Sequence, residues 1–304
     1  MTAPESSRLA PLAGAGIDRA ADERAEPGLL DHIRADPAAR VLVVVGDTAP
    51  LSAPDTLHWV APSAVPDGGE WAFLGRGPDG VALLLAAFSE ADDRAFDAPA
   101  GWGSLRVIGG GLGEHDATAF VTALSLGRWL VDGRFCPACG SLLMLADAGW
   151  SRRCPACGRQ HFPRTDPAVI VAIRSARDPD LLLLGSNAMW GANRFSCFAG
   201  FAEAGESLEA TVRREIWEES GIRVASVQYR GSQAWPYPRS LMVGFLATAV
   251  DDEAARPDGE EIVAVRWFTR AEIGAALAGD GDVVLPGRAS IAHRLISDWH
   301  AGAA

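Results

Sequence analysis

Residues 200–222 read GFAEAGESLEATVRREIWEESGI, and their pattern governs the interpretation of the whole chain. Glu215, Glu218 and Glu219 stand at i, i+3 and i+4, so a helix through them places three carboxylates on one face. Like charges in that arrangement repel, and a bound divalent cation with oxygen ligands would relieve the repulsion. Gly221 stands where a helix commonly ends. The stretch therefore predicts a helix that carries a metal site, with a solvated acidic face as the alternative.

The composition indicates an ordinary globular protein with an acidic balance. The chain has 304 residues, a hydrophobic fraction of 48% and a net charge of -12, enough for two or three domains. The negative charge argues against a broad nucleic-acid binder, which needs cations to neutralise phosphates. The longest apolar runs, such as VALLLAAF at 81–88, are too short to span a membrane, and we find no secretory signal. We therefore expect a cytoplasmic protein without a membrane partner.

Four of the five cysteines occur in two CPAC pairs, at Cys136, Cys139, Cys154 and Cys157. Two such turns can place four thiolates tetrahedrally around one zinc ion, which leaves no open coordination position. The spacing therefore predicts one structural zinc per chain, and it favours metal over disulfides in a chain with no export signal. Cys197 lies in an apolar stretch and is expected to be a small buried residue.

Zinc ribbons often bind nucleic acid, and four arginines surround the second pair: Arg152, Arg153, Arg159 and Arg164. They form a modest patch in an acidic chain. We therefore favour a ribbon that braces a domain junction.

Strand and helix patterns alternate on both sides of the cysteine block. Before it, we predict strands over 40–47, 57–61, 71–76 and 79–88 and a helix over 116–133. After it, we predict strands over 168–175, 181–186, 224–230, 240–250 and 261–268, with helices over 207–221 and around 270–278 and 289–300. The fold class is therefore α/β (α+β).

The stretch 200–222 is similar to the Nudix box, Gly-x5-Glu-x7-Arg-Glu-apolar-x-Glu-Glu-x-Gly-apolar. Its fixed positions are filled by Gly200, Glu206, Arg214, Glu215, Ile216, Glu218, Glu219, Gly221 and Ile222. The resemblance implies a Nudix hydrolase, an α/β/α sandwich that cleaves a nucleoside diphosphate linked to another group. Divalent metals would neutralise the phosphate oxygens and activate water.

Three further features resemble the NADH pyrophosphatase family, also described as NAD-capped RNA hydrolases. A four-cysteine ribbon precedes the Nudix part, HFPRTDPAVIVAI (161–173) joins them, and SQAWPYPRS (232–240) follows the box. The family pattern there is Ser-Gln-Pro-Trp-Pro-Phe-Pro-x-Ser, so Ala234 and Tyr237 depart from it. We expect an N-terminal α+β domain over 1–130, the zinc ribbon over 131–165 and the Nudix domain over 166–304.

The resemblance also implies the catalytic machinery. Glu215 and Glu219 would bind Mg²⁺ or Mn²⁺, with Glu218 as a third ligand or binding through water. The backbone carbonyl of Ala199 and the downstream Glu261 would add ligands, although a shift of one residue to Glu260 is conceivable. Arg214 would orient a carboxylate through a bidentate pair.

The segment SQAWPYPRS is expected to recognise the substrate. Its two prolines would stiffen an aromatic wall for a flat base, at low entropic cost. The resemblance also implies that Phe201 stacks on a base, that Phe162 reaches the substrate across a dimer interface, and that the backbone of Ala292 contacts the substrate. The predicted substrate-binding residues are Phe162, Phe201, Gln233, Ala234, Trp235, Pro236, Tyr237, Pro238, Arg239, Ser240 and Ala292. The alternative is a structural edge hairpin with its Trp in the core.

The resemblance implies hydrolysis of the pyrophosphate of NADH or NAD⁺ to nicotinamide mononucleotide and AMP, a homodimer and, in some members of the family, activity on NAD-capped RNA. One alternative is a Nudix hydrolase of another dinucleotide, such as ADP-ribose. The other is a zinc-ribbon nucleic-acid-binding regulator with a relict Nudix fold, against which the intact box argues.

Overall fold

The computed structural model describes residue 12 and residues 14–89 and 96–303. Residues 1–11, for which no secretory signal is predicted, lie outside the described residues. The chain divides into two compact units. One contains Gly14–Thr165 and Trp235–Arg239, and the other contains Asp166–Ala234 and the residues from Ser240 onward. The three domain boundaries expected from the sequence stay a prediction.

The first unit is built on a six-stranded sheet. Its elements are α1 (Leu29–Ala35), β1 (Arg40–Val45), β2 (Thr48–Ala53), β3 (Thr56–Leu57), β4 (Glu70–Arg76), β5 (Ala82–Phe88), β6 (Trp102–Ser104), α2 (Leu105–Ile108) and α3 (Glu114–Asp132). The strand order is β3-β2-β1-β5-β4, with β6 paired to β2. Strands β1 and β5 run parallel, and the other pairs are antiparallel. Helix α3 packs on β5, β4 and β1.

Two of these elements differ from the prediction: β3 is shorter than the predicted strand, and α1 was not predicted. The strand predicted over 57–61 is reduced to β3, because the backbone N–H of Leu57 donates to the Asp116 carboxylate at 3.0 Å instead of to a neighbouring strand. Val60 pairs with Val41 only as an isolated bridge. Helix α1 was not predicted; its Leu29 and Ile33 pack into the same core cluster as β1.

The zinc ribbon belongs to the first unit and forms a three-stranded antiparallel sheet in the order β7 (Met144–Ala146), β8 (Ser151–Arg153) and β9 (Gln160–His161). Arg152 is only 3% exposed. Its guanidinium donates to Glu70 on β4 and to the carbonyls of Leu130 and Gly133 at the end of α3. One of the four ribbon arginines is therefore an internal brace rather than a surface cation.

The second unit is also built on a six-stranded sheet. Its elements are β10 (Asp166–Arg174), β11 (Leu181–Asn187), β12 (Phe198–Phe201), α4 (Leu208–Ser220), β13 (Val224–Trp235), β14 (Ser240–Ala249), β15 (Ile262–Thr269), α5 (Arg270–Ala278) and α6 (Ile291–His300). The order is β13-β14-β10-β11-β15, with β12 paired to β10. Strands β10 and β14 are parallel.

Successive residues of β10 point to opposite faces of this sheet. Val169, Val171 and Ile173 pack in the cluster that contains residues of α4. Ile170 and Ala172 pack in the cluster that contains residues of α5 and α6. This layering confirms the α/β/α sandwich and, with the ribbon and the first unit, the predicted fold class. Across the part of the chain that the structure describes, no helix is both long and apolar enough to cross a membrane.

Candidate active site and zinc centre

The acidic helix α4 is fixed at both ends by local sequence. Ser207 caps it by accepting a hydrogen bond from the Ala210 N–H at 3.2 Å. Gly221 ends it with φ of 67°, a left-handed conformation that glycine adopts without strain. Val212 and Ile216 are fully buried beneath the sheet. Glu215 and Glu219 lie beside these apolar residues on the side of the helix that meets the sheet, with side chains that are mostly buried, whereas Glu218 is turned towards solvent.

Arg214 is the centre of the hydrogen-bond network around the carboxylates. Its Nε and Nη2 donate to the two oxygens of Glu206 at 2.7 and 2.8 Å, which is a bidentate pair. Its Nη1 donates to Glu215 at 2.9 Å and to Glu218 at 3.0 Å. Its Nη2 also donates to the Phe201 carbonyl. The hydrogen bonds from Arg214 lower the pKa of Glu206 to about 2, so Glu206 stays ionised.

Gly200 on β12 leaves the space that the Glu215 carboxylate occupies. A Cβ at position 200 would overlap the carboxyl carbon and both oxygens of Glu215. The glycine of the box is therefore required by close approach of the helix side chain to the strand, not by an unusual backbone angle. Burial raises the pKa of Glu215, and the hydrogen bond from Arg214 opposes that rise.

Glu219 is the most buried of the three acids, with 5% of its surface exposed. Its Oε2 is buried and has no hydrogen-bond partner within the part of the chain that the structure describes. Burial raises the pKa of Glu219 to about 8, and the negative charges of Glu261 and Glu215 add to the rise. A hydrogen bond from the Ala199 N–H to the Glu219 carboxylate opposes this rise in pKa. A buried carboxylate that has one oxygen without a partner and has acidic neighbours lacks a cation, which fits a divalent metal with oxygen ligands.

Glu261 precedes β15 and accepts a hydrogen bond from Asn187 at 3.2 Å. Its charge acts on both Glu215 and Glu219, which favours Glu261 over its neighbour Glu260 as the downstream acid. Glu218 is about half exposed and turned to Arg214, with 54% of its side chain accessible. The predicted roles of these acids as metal ligands stay predictions.

The four cysteine sulfurs of the two CPAC turns all lie within 4.8 Å of one another. Cys136 and Cys157 are separated by 3.7 Å between sulfurs, and Cys139 and Cys154 by 3.4 Å. Zn–S bonds of about 2.3 Å in a tetrahedron require sulfur separations of about 3.8 Å. The donor set and its size therefore fit a structural zinc ion. Hydrogen bonds from Ser141 lower the pKa of Cys139 to about 6, which favours the thiolate that binds metal.

Cys197 is buried, and burial raises the pKa of its thiol to about 12. It is therefore a protonated packing residue and a poor nucleophile.

The segment 232–240 begins as the end of β13 and returns as the start of β14. The rings of Trp235 and Tyr237 pack against each other edge to face, with centroids 5.2 Å apart and planes at 61°. The guanidinium carbon of Arg106, on α2, lies 3.9 Å from the Tyr237 ring centroid. Burial raises the pKa of Tyr237. The Tyr237–Pro238 peptide bond is cis. The two aromatics thus form a fixed pair within the first unit.

Gln233 is 1% exposed and both ends of its amide are engaged. Its Nε2 donates to the Ala289 carbonyl, and its Oε1 accepts from the Ile291 N–H, each at 2.8 Å. Gln233 therefore anchors the start of α6, where Ser290 caps Ala292 at 3.1 Å. Direct substrate contact by Gln233 and Ala292 stays a prediction.

The other predicted substrate residues differ in exposure. Phe201 and Phe162 are 52% and 47% exposed. Pro236 and Ser240 are buried, Ala234 is partly buried, and Pro238 and Arg239 are exposed. All of these substrate roles stay predictions.

Sequence reasoning missed two groups near these sites. His161 places its Nε2 3.4 Å from the Cys136 sulfur, and its position four residues after Cys157 was the available signal. Arg106 over Tyr237 had no signal, because a stretch of 130 intervening residues separates them.

Comparisons with known proteins find similarity to two protein families and to a solved structure. The NUDIX domain model matches residues 164–285, and the NADH pyrophosphatase zinc ribbon domain model matches residues 133–162. A Nudix hydrolase of solved structure from Nitrosomonas europaea is 24% identical, with 56% of this chain and 93% of that chain covered and a TM-score of 0.43.

Two curated relatives are more informative. The NAD-capped RNA hydrolase NudC of Mycobacterium tuberculosis is 39% identical over 278 residues, covering 88% of this chain and 85% of the relative. The NAD-capped RNA hydrolase NUDT12 of Homo sapiens is 40% identical over 199 residues, covering 62% of this chain and 42% of the relative. The chain therefore belongs to the Nudix hydrolases, in the family of NAD-capped RNA hydrolases that carry the NADH pyrophosphatase zinc ribbon.

Proposed function

We propose that this enzyme hydrolyses the central pyrophosphate bond of NADH and NAD⁺ to nicotinamide mononucleotide and AMP, and that it removes NAD caps from RNA. The observation that carries the proposal is the continuous similarity to an NAD-capped RNA hydrolase over 85% of that relative. The similarity spans the acidic helix, the ribbon and the segment 232–240 together, rather than the Nudix domain alone.

The catalytic part of the proposal is supported by the buried Oε2 of Glu219, which has no hydrogen-bond partner among the described residues. Glu215, Glu218 and Glu219 would hold the divalent metal with the Ala199 carbonyl and Glu261. A bound Mg²⁺ or Mn²⁺ neutralises pyrophosphate oxygens and activates water. Arg214 contributes by fixing Glu215 and Glu218 in place through its Nη1. It acts through these carboxylates and is a positioning residue.

The substrate part of the proposal is supported by the paired rings of Trp235 and Tyr237 and by the exposed Phe201 and Phe162. Flat aromatic faces suit nicotinamide and adenine, because every base has a π face on which to stack. We further propose a structural zinc ion held by the four cysteines, a homodimer and a cytoplasmic location. The domain boundaries at 130 and 165 belong to the same proposal.

Product analysis by chromatography tests this function. Wild-type enzyme with Mg²⁺ or Mn²⁺ should convert NADH to nicotinamide mononucleotide and AMP and should release nicotinamide mononucleotide from NAD-capped RNA. Initial rates of ADP-ribose hydrolysis, measured at the same enzyme concentration, test ADP-ribose as the alternative substrate. Glu219→Gln keeps the shape of the side chain and removes its charge, so it should fold but lose most activity. Near wild-type turnover of Glu219→Gln at saturating metal would contradict the metal assignment, and faster cleavage of ADP-ribose would contradict the substrate assignment.

A further inference from the structure

A groove of about 300 Å³ lies in the first unit, between the end of α3, the residues after the ribbon and the segment 232–240. Three arginines line it: Arg128, Arg164 and Arg239. The acidic side chain in its lining is Asp132. The groove is therefore locally cationic in a chain whose net charge is -12.

Two of the three groove arginines, Arg128 and Arg164, differ from Arg152 in that their guanidinium groups are not held by internal contacts. Within residues 14–89 and 96–303, neither Arg128 nor Arg164 has a hydrogen bond or an ion pair. Arg128 is partly buried on α3, and Arg164 is exposed. Unpaired guanidinium groups at a concave site are suited to phosphate, whose oxygens match their planar donors.

An aromatic side chain and the cap-recognition segment share the same groove. Trp129 lines it beside Arg128 and is partly buried. Pro238 and Arg239 belong to the segment 232–240, which is proposed to face the nucleoside of the cap. Cationic grooves with aromatic side chains are typical of single-stranded nucleic-acid binding, in which phosphates meet arginines and bases stack.

We propose that this groove binds the phosphodiester backbone of the single-stranded RNA that follows the cap, with Arg128 and Arg164 as the phosphate-binding residues. The inference rests on the proposed function, because it assigns a site for the part of NAD-capped RNA that free NADH lacks. Under this proposal NAD-capped RNA has two binding sites, one for the cap and one for the RNA that follows it.

The first experiment compares two substrates in the Arg128→Gln, Arg164→Gln double variant. We expect kcat/KM for NAD-capped RNA to fall by at least about tenfold, while kcat/KM for NADH stays within about twofold of wild type. Arg40→Gln removes the same kind of charge from an arginine that pairs with Asp79 outside the groove, and it should change neither value. Equal losses on both substrates, or no loss on capped RNA, would overturn the proposal.

The second experiment measures binding without chemistry. Fluorescence anisotropy of a labelled 12-nucleotide RNA with a 5′-monophosphate, without divalent metal, should show salt-dependent binding. Loss of two phosphate contacts should make the slope of log K against log salt shallower by about 1.4. The Arg128→Lys, Arg164→Lys variant keeps both charges and should retain most of the binding. An unchanged slope of log K against log salt in the Arg128→Gln, Arg164→Gln variant would overturn the proposal that the groove binds RNA.

The two experiments separate this inference from the function on which it rests. Failure of wild-type enzyme to hydrolyse NADH and capped RNA would refute the proposed function. The anisotropy experiment would still measure whether the groove binds RNA. A thermal melt of each variant identifies loss of fold, in which case the Lys variant and the single Gln variants decide the outcome.

Discussion

Replacement of Gly200 by Ala is the sharpest test of how the strand β12 positions the acidic helix. The backbone at Gly200 is an ordinary strand paired with Val169, so alanine itself is not strained there. The new methyl group, however, would occupy the space of the Glu215 carboxylate. Ordinary van der Waals contact begins at 3.4 Å. The carboxylate must therefore withdraw by about 1 Å, or the helix must move away from the strand.

A displacement of about 1 Å in a catalytic group can cost about 100-fold in rate. This corresponds to about 2.7 kcal/mol of transition-state stabilisation. We therefore expect kcat/KM of Gly200→Ala for NADH to fall by about 100-fold, with weaker binding of Mn²⁺. The far-ultraviolet circular dichroism spectrum should keep its wild-type shape, since the core residues of α4 are untouched.

The assay is steady-state hydrolysis of NADH beside calorimetric titration with Mn²⁺ and a thermal melt. Gly191→Ala is the matched control, because a Cβ there meets no atom within 4 Å. It should leave all three measurements unchanged. Wild-type activity and metal affinity in Gly200→Ala would refute the role given to the close approach of Glu215, and a lost fold would show that the helix cannot yield at all.

Three other predictions follow from the zinc centre, the aromatic pair and the buried acid. Cys154→Ser should lower the melting temperature before it alters chemistry, because a closed four-thiolate site contributes folding free energy; an unchanged melt with one zinc still bound would contradict this. Trp235→Ala should lower kcat/KM for NADH by roughly tenfold or more and that for ADP-ribose by less; equal losses with a lower melting temperature would instead indicate a scaffold role. Since the pKa of Glu219 is raised to about 8, its proton must leave before metal binds, and Mn²⁺ affinity should rise roughly 50-fold between pH 6 and pH 8. Calorimetry at both pH values measures this rise, and Glu219→Gln should remove most of it; a flat profile in wild type would show that Glu219 is not the titrating ligand.

The acidic helix could be predicted because its determinants are local. Ser207, Gly221 and the spacing of the glutamates lie within 15 residues, and the structure places α4 where they indicate. The cysteine cluster was equally predictable, since each CPAC turn sets the distance between its own two sulfurs.

The contacts that could not be predicted all join residues far apart in sequence. Gln233 bonds to backbone atoms near α6, more than 50 residues away, and a buried amide has no sequence signature for its partners. Arg152 could not be told from its neighbour Arg153 by composition, although one is buried and the other exposed. Strand β12 was missed because four residues, two of them small, carry little β pattern of their own.

Arg214 has a consequence for the order in which the enzyme is assembled. Its guanidinium is shared among Glu206, Glu215 and Glu218, and these bonds raise its own pKa. A permanent cation thus compensates part of the acid cluster while the chain folds, before any exchangeable ion arrives. Metal loading then becomes a late event on a finished scaffold, and chelator treatment should strip the catalytic ion without unfolding the helix that held it.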